Sequence, residues 1–235
     1  YERMRTLMDD TYTINVTPDK RFSGREIGDI AVAMVVLSIA FVILYRDSQF
    51  MWYLGYAYGD VARWPILIVT CFGLVFFSFL LHEFGHKFTA QNFGLRSEFR
   101  MSRIGLFITL ITSLLGFLFA APGAVVINGY PDKRTNGLIS IAGPAVNIVL
   151  AMVGIVGCFA FNHTPLVFVF LMLANLNAFL AFFNLLPIPP LDGSKILAWN
   201  APVYIAAMAI AALEIAYMFM WMPDLYFALS LIHIS

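Results

Sequence analysis

The chain has 235 residues, of which 61% are hydrophobic and 12% are charged, and its mean hydropathy is +0.83. This composition excludes an ordinary soluble domain and predicts a multi-pass protein of the lipid bilayer. Lys and Arg together number 14, as do Asp and Glu, so the formal net charge is zero and no basic surface indicates a nucleic-acid partner.

Residues 1–26 are polar and of mixed charge, and we interpret them as a cytoplasmic N-terminal arm. The rest of the chain, residues 27–235, is predicted to form one transmembrane domain. Its first span covers residues 27–45, which are almost all apolar and long enough to cross a bilayer. Residues 46–64 follow as a predicted loop, whose tryptophan and tyrosine rings favour the level of the lipid headgroups.

The second predicted span, residues 65 to about 91, carries the pattern His-Glu-Phe-Gly-His near its C-terminal end. His82 and His86 are four residues apart, so on a helix their rings lie on one face, where both can bind a single metal ion. Glu83 lies beside them and can act as general base on a water at the metal, which is typical of a zinc hydrolase. The alternative, a motif without a role in headgroup water, is disfavoured because ionisable residues inside apolar spans are usually functional.

A basic stretch with three arginines precedes an apolar segment, residues 104–127, that is long enough to cross the membrane once. Its middle contains Gly116 and Pro122, which break a helix, and residues 123–127 have the β-branched character of a strand. We therefore predict that this segment enters and leaves the membrane on one side, as a re-entrant segment or short β-hairpin.

Further spans are predicted over residues 138–161, 165–186 and about 202–222. Residues 225–234 begin another apolar run, and because the chain starts at Tyr1 and stops within this run, we expect a fragment whose last helix is cut short. The predicted fold is an all-α polytopic membrane protein of about six transmembrane helices, the last one truncated, with the re-entrant segment or β-hairpin after the metal-motif helix.

A proline-rich break over residues 184–197 separates two of these spans. Its three prolines cannot sustain a regular helix, so the backbone unwinds and presents Asp192, with Gly193 allowing the turn. Two histidines leave a catalytic zinc site one protein ligand short, and Asp192 is the best remaining candidate for that ligand. In a loop outside the bilayer Asp192 would have no such role, and spacing alone leaves this alternative open.

The distribution of basic residues gives a second test of this pairing. The three predicted ligands can share one ion only if residues 104–127 return to the side from which they entered. Under this topology every Lys and Arg except Arg46 and Arg63 lies on the side of the N-terminus and the metal site, whereas a full crossing weakens the asymmetry. By the positive-inside rule, both the N-terminus and the metal site then face the cytoplasm.

Three motifs, in this order, resemble those of the site-2 proteases, the intramembrane zinc metalloproteases of peptidase class M50. They are HEFGH in a transmembrane helix, AGPAVN over residues 142–147 and NLLPIPPLDG over residues 184–193. The likeness covers roughly residues 65–197, which we expect to form the core of a transmembrane metalloprotease domain.

The resemblance implies one Zn²⁺ per chain, with His82, His86 and Asp192 as ligands and Glu83 as the base that activates water. It implies hydrolysis of a peptide bond within or near a transmembrane segment of a membrane-protein substrate, as in regulated intramembrane proteolysis, in the cell membrane and toward the cytoplasmic side. It also implies that Asn147 engages the substrate, where an amide could donate to the scissile carbonyl. A hydrogen bond between helices is an alternative role for Asn147.

Two other functions are weighed against proteolysis. A metal transporter or sensor would need polar residues along a path through both leaflets, and the spans over residues 138–186 offer few beyond three asparagines. A catalytically silent homologue would lack a ligand or the base, and all are present here. Glu214, within the last complete span, is interpreted as structural, although buried acidic residues in membranes often mark function.

Overall fold

The computed structural model describes residues 22–231, with side chains described from residue 22 to residue 220. Residues 1–21 of the predicted arm lie outside this range. Helix α1, Gly24–Tyr45, begins after Ser23, whose hydroxyl oxygen accepts the backbone N–H of Glu26 at 3.2 Å. This hydrogen bond satisfies one of the free amides of the first turn, as an N-cap serine typically does. The last residues of the predicted arm therefore belong to the first helix.

Helix α2, Gln49–Val75, occupies most of the region predicted to be a loop over residues 46–64. The loop prediction is wrong from Gln49 onward. The chain bends within α2 at Gly59, which has a φ of 81°, a backbone conformation that glycine adopts without steric cost. Aromatic rings that favour the headgroup level are compatible with a helix at that depth, because a helix satisfies its own backbone hydrogen bonds.

A π-helical turn, Phe76–Leu80, connects α2 directly to helix α3, Leu81–Asn92, which carries the histidine pair. Together they form one continuous helical run, Gln49–Asn92. A single π-helical turn inside a helix changes which carbonyls are engaged in the helical ladder, and such turns often occur at functional sites. In this chain the turn ends directly before the metal motif.

Strand β1, Arg96–Met101, pairs antiparallel with strand β2, Gly123–Asn128. Arg96 lies opposite Asn128 and Met101 opposite Gly123, so the chain returns to the point at which it left. Between the strands, helix α4, Arg103–Leu114, has 12 residues. At 1.5 Å per residue it is about 18 Å long, short of the roughly 30 Å of a bilayer core. The predicted hairpin after the metal-motif helix is confirmed.

The C-terminal half consists of helices α5, Lys133–Ala160, α6, Leu166–Asn184, α7, Asp192–Trp199, and α8, Ala201–Leu231. Helices α5 and α6 approach each other closely at Gly154, where a Cβ atom would lie 2.5 Å from the backbone nitrogen of Ala174. Small residues at such contacts are typical of helix pairs in membranes. The pair holds one wall of the site described below.

Five helical runs within the described residues are long and apolar enough to cross a membrane. The all-α polytopic fold is confirmed, with five spans instead of the expected six. The apolar run over residues 225–234 does not start a new helix, because its described part, up to Leu231, continues α8. The final residues of that run lie outside the described range.

Candidate metal centre

The side chains of His82, His86 and Asp192 converge on one point between α3 and the start of α7. His86 Nε2 lies 3.1 Å from His82 Nε2 and 3.1 Å from Asp192 Oδ2, and His82 Nε2 lies 3.7 Å from the same carboxylate oxygen. One ligand atom from each residue falls within 4.8 Å of the others. The structure therefore brings together the two distant motifs that the sequence analysis paired.

The donor set fits zinc. Two imidazole nitrogens and one carboxylate oxygen are the three protein ligands of a common type of catalytic zinc site, which keeps a fourth position for water or substrate. The three residues are buried, with relative exposures of 6%, 8% and 9%. Buried charged groups that lie this close require either a metal or precise hydrogen bonding to offset their desolvation.

Each imidazole makes a hydrogen bond through its other nitrogen. His82 Nδ1 lies 2.5 Å from Asn147 Oδ1, and His86 Nδ1 lies 2.8 Å from the carbonyl oxygen of Ile139. Both acceptors favour the tautomer with hydrogen on Nδ1, which leaves Nε2 of each ring free to bind a metal. This arrangement is the usual outer shell of a metal-binding histidine.

Asn147 is fully buried, and its amide is engaged on both sides. Its Nδ2 donates to the backbone oxygen of Ser78 and to Asn177 Oδ1, both at 2.8 Å. Asn177 Nδ2 in turn donates to Ser78 Oγ at 2.9 Å. A role of Asn147 in substrate binding stays a prediction, and the side-chain contacts that the structure gives it are with His82, Ser78 and Asn177.

Ser78 and Asn177 were missed as parts of the site. Ser78 lies in the π-helical turn before the metal motif, and both it and Asn177 have no exposed surface. The one available signal was the rarity of asparagine within apolar spans, since polar side chains inside membranes commonly hydrogen-bond between helices. The network connects the turn before α3 to α5 and α6, and thereby holds the ring of His82.

The proline break unwinds the chain between α6 and α7, and this places Asp192 next to the two histidines. Residues 185–191 form turns, and Asp192 is the first residue of α7. Gly193 permits the close return of the chain, because a Cβ atom there would lie 2.0 Å from the carbonyl oxygen of Leu185. The predicted unwound stretch is confirmed over residues 185–191, whereas residues 192–197 of the predicted break form the start of α7. The small size of Gly193 is what the packing requires.

Electrostatics favour an ionised carboxyl at Asp192. Burial alone would raise the pKa of this group, but the contacts with protonated His86 and His82 and the charge of Lys195 outweigh burial and lower it; when the imidazoles are neutral, Lys195 remains as the neighbouring positive charge. Lys195 Nζ lies 3.4 Å from Oδ1, the oxygen that faces away from the histidines. Asp192 can therefore offer an anionic Oδ2 to a metal at neutral pH.

Glu83 lies beside the three converging residues and is buried, with 7% of its surface exposed. Its Oε2 has no hydrogen-bond partner among the residues whose side chains are described, while its carboxylate also contacts the backbone of Val125 on β2. Glu83 lines a cavity of about 520 Å³ together with His82, His86 and Asp192, which we call the metal-binding group, and with residues of β2 and the proline break. A free carboxylate oxygen in such a cavity can accept a proton from a bound water.

Gly143 allows α5 to approach the two histidines. A Cβ atom at this position would lie 2.3 Å from His86 Nε2 and 2.7 Å from His82 Cε1. Gly85 lies on the facing helix, α3, and a Cβ atom there would lie 2.9 Å from the carbonyl oxygen of Ala142. The glycine in the AGPAVN motif is therefore required by the space that the imidazoles occupy. Glu214, by contrast, does not line this cavity.

Comparisons with known proteins give a consistent result. A family model described as Peptidase family M50 matches residues 160–220. A protein of Methanocaldococcus jannaschii, provisionally named a zinc metalloprotease, is 37% identical over 183 residues, which cover 77% of this chain and 87% of the relative. YwhC of Bacillus subtilis, named in the same provisional way, is 32% identical over 161 residues, covering 60% of this chain and 72% of the relative. No solved structure gives a significant match.

Proposed function

The chain belongs to peptidase family M50 and is a membrane zinc metalloprotease, and from this premise we propose that it hydrolyses a peptide bond within or near a transmembrane segment of a membrane-protein substrate. The observation that carries the proposal is the convergence of His82, His86 and Asp192 beside Glu83, at the end of a helical run that is apolar enough to span a bilayer. A hydrolytic site attached to such a run is positioned for substrates that are themselves in the membrane.

In this proposal His82, His86 and Asp192 bind the zinc ion through Nε2, Nε2 and Oδ2. When bound, zinc polarises the scissile carbonyl and lowers the pKa of a coordinated water toward about 7. Asn147 and the Ile139 carbonyl hold the two rings in the required tautomer. Lys195 binds the second oxygen of Asp192, which favours binding of the ion through Oδ2 alone.

Glu83 acts as the general base and then as the general acid. Its unpartnered Oε2 takes the proton of the attacking water and later delivers it to the leaving amine. Burial supports this role, because a carboxylate shielded from bulk water exchanges its proton with the reacting groups in the cavity. The surrounding apolar residues also exclude unrelated water from the reaction.

The substrate is presented in extended form along β2. Ala124, Val125 and Ile127 of this strand line the same cavity as Glu83, so that a strand added there would run past the metal-binding group. Peptide binding by strand addition uses the main chain for affinity. The scissile segment must therefore unwind locally from its helical state before it is cleaved.

The site faces the cytoplasm in this proposal, with the protein in the cell membrane. The end of the molecule that holds the metal-binding group also carries Arg96, Arg100, Lys133 and Lys195 around the hairpin and the start of α5 and α7. Clusters of basic residues next to membrane spans accumulate on the cytoplasmic side. Water and protons would reach the cavity from that side.

The proposal is tested with the purified chain in liposomes that contain a single-span peptide, whose transmembrane segment carries a helix-breaking Asn-Gly pair. We expect cleavage within that segment, mapped by mass spectrometry, to stop on chelation and return with added zinc. The same peptide with Leu-Leu in place of Asn-Gly serves as the matched control and should be cleaved more slowly. A zinc-loaded chain that leaves both peptides intact would contradict the proposal.

Replacement of Asn147 by alanine should weaken zinc binding by about 10–100-fold, the usual cost of losing an outer-shell partner of a metal ligand. The physical reason is that His82 loses the acceptor that orients its ring. Zinc affinity is measured by competition with a chromophoric chelator, and Asn162→Ala, in the exposed turn between α5 and α6, is the control. Unchanged zinc affinity together with a raised KM would instead favour direct substrate binding by Asn147.

A further inference from the structure

A buried ion pair connects the first helix to the metal-motif helix. Glu26 and Lys87 have no exposed surface, and Lys87 Nζ lies 2.8 Å and 2.9 Å from the two carboxylate oxygens of Glu26. Lys87 follows the metal-motif residue His86 directly. Burying two charges carries a large desolvation cost, so a pair of this kind is weak evidence for stability and calls for another explanation.

Both members of the pair also bind the backbone of β1. Glu26 Oε1 accepts the N–H of Phe99 at 2.8 Å, and Lys87 Nζ donates to the carbonyl oxygen of Ser97 at 2.9 Å. The hydroxyl of Ser97 donates back to the carbonyl oxygen of Lys87 at 3.0 Å. Side chains from α1 and α3 therefore occupy one N–H and one C=O that a neighbouring strand would otherwise use.

The register of the hairpin shows which edge these groups close. In an antiparallel pair, successive residues direct their backbone groups to opposite edges. Ser97 and Phe99 bind the ion pair and so point away from β2. Their partners across the hairpin are Ile127 and Val125, which for the same reason point away from β1.

The outer edge of β2 has a different environment from the outer edge of β1. Within the described residues the sheet contains two strands, so no further strand pairs with β2. Val125 and Ile127 line the cavity that also contains Glu83 and the metal-binding group. The Glu83 carboxylate lies against the backbone of Val125 at this edge. The outer edge of β1 is thus closed by charged side chains of two helices, whereas the outer edge of β2 faces the cavity that contains Glu83.

We propose that Glu26 and Lys87 are positioning residues, whose ion pair closes the outer edge of β1 so that an extended substrate can add only to β2, opposite Val125 and Ile127. The inference rests on the proposed function and names how the substrate is directed. Exposed strand edges attract other strands, and covering one edge is a known way to prevent this.

Two double variants separate this role from a merely structural ion pair. Glu26→Leu with Lys87→Met removes the charges and both edge hydrogen bonds. Glu26→Gln with Lys87→Met removes the same charges but keeps an acceptor for the N–H of Phe99. Replacing a buried pair on both sides avoids the unpaired charge that single substitutions would leave. If the hydrogen bond from the N–H of Phe99 to residue 26 closes the edge, the glutamine variant behaves like the parent and the leucine variant does not.

The strand edge to which the peptide adds is identified by disulfide formation. A set of single-span Asn-Gly peptides is used, each with one cysteine at a different position. The chain carries Glu83→Gln to prevent cleavage and alanine at Cys71 and Cys158, with one new cysteine at Val126 on β2 or at Arg96 on β1. Disulfides need Cβ atoms about 3.5–4.5 Å apart, so they report adjacent strands. We expect the parent to form the disulfide at Val126→Cys and not at Arg96→Cys.

In the leucine variant we expect the Arg96→Cys disulfide to appear. In the catalytically intact form of that variant, kcat and KM should fall together, because substrate on β1 is bound but out of reach of the site. Equal occupancy of the two edges would lower both constants roughly twofold. The glutamine variant should retain the parent pattern and the parent constants.

Comparable disulfides at both positions in the parent would overturn the inference, and this result needs no double variant to fold. Identical behaviour of the two double variants would also overturn it, since they differ only in the acceptor for Phe99. Failure of the proposed function has a different signature, namely a zinc-loaded parent that forms the Val126→Cys disulfide and yet cleaves no membrane peptide.

Discussion

Replacement of Asp192 by alanine is expected to strip the purified chain of zinc, from about one ion per chain to well below one. Asp192 supplies the anionic oxygen of the group, 3.1 Å from His86 Nε2, and the two histidines alone are an incomplete site. The loss of affinity should exceed the roughly 10–100-fold typical of outer-shell changes. Metal content is measured by elemental analysis of parent and variant in the same detergent.

Asp47→Ala provides the matched control for this experiment. Asp47 lies in the turn between α1 and α2 with 86% of its side chain exposed, and its ion pair with Arg46 is at the surface. Surface pairs contribute little to stability, so this variant should keep the zinc content of the parent. Full zinc occupancy in Asp192→Ala would remove Asp192 from the ligand set, and with it the reason to pair the two motifs.

Replacement of Glu83 by glutamine is expected to lower kcat by about 10²–10⁴-fold, the range that a positioned acid or base contributes. Glutamine keeps the size of the side chain but cannot take a proton from water. Zinc content should stay at the level of the parent, because the proposed ligands are unchanged. The two readouts are initial rates of cleavage of the Asn-Gly peptide in liposomes and elemental analysis of the same preparation.

Glu214→Gln controls for the chemical change itself. Glu214 is also a buried glutamate in a membrane span, with 6% exposure, but it does not line the cavity. We expect this variant to cleave at a rate near that of the parent, in agreement with a structural role. Parent-like cleavage by Glu83→Gln would contradict the proposed mechanism, since among the described residues that line the cavity the other carboxylate, Asp192, belongs to the metal-binding group.

The position of the histidine pair could be predicted because it depends on local geometry alone. Residues four apart share a helix face wherever the helix lies, and the apolar residues around them required a membrane span. Asp192 was identified as a candidate because two histidines leave a catalytic zinc site one protein ligand short, and the structure places it beside them. The return of the chain followed from the helix-breaking residues Gly116 and Pro122 and from the strand character of residues 123–127, whereas strand β1 was not predicted. The loop over residues 46–64 was misjudged because aromatic composition reports depth in the membrane and not backbone conformation.

The amino-acid sequence by itself thus determined the membrane class, most of the spans and the histidine pair on one helix face, since each of these depends on composition or short-range periodicity. Only the tertiary structure decided which polar side chains support that group. Ser78 meets Asn177, and Lys87 meets Glu26, across 99 and 61 positions of sequence. Glu26 had been assigned to a polar arm. Its partner depends on how α1 packs against α3 and β1, and contacts between distant segments have no periodicity in the sequence that could reveal them.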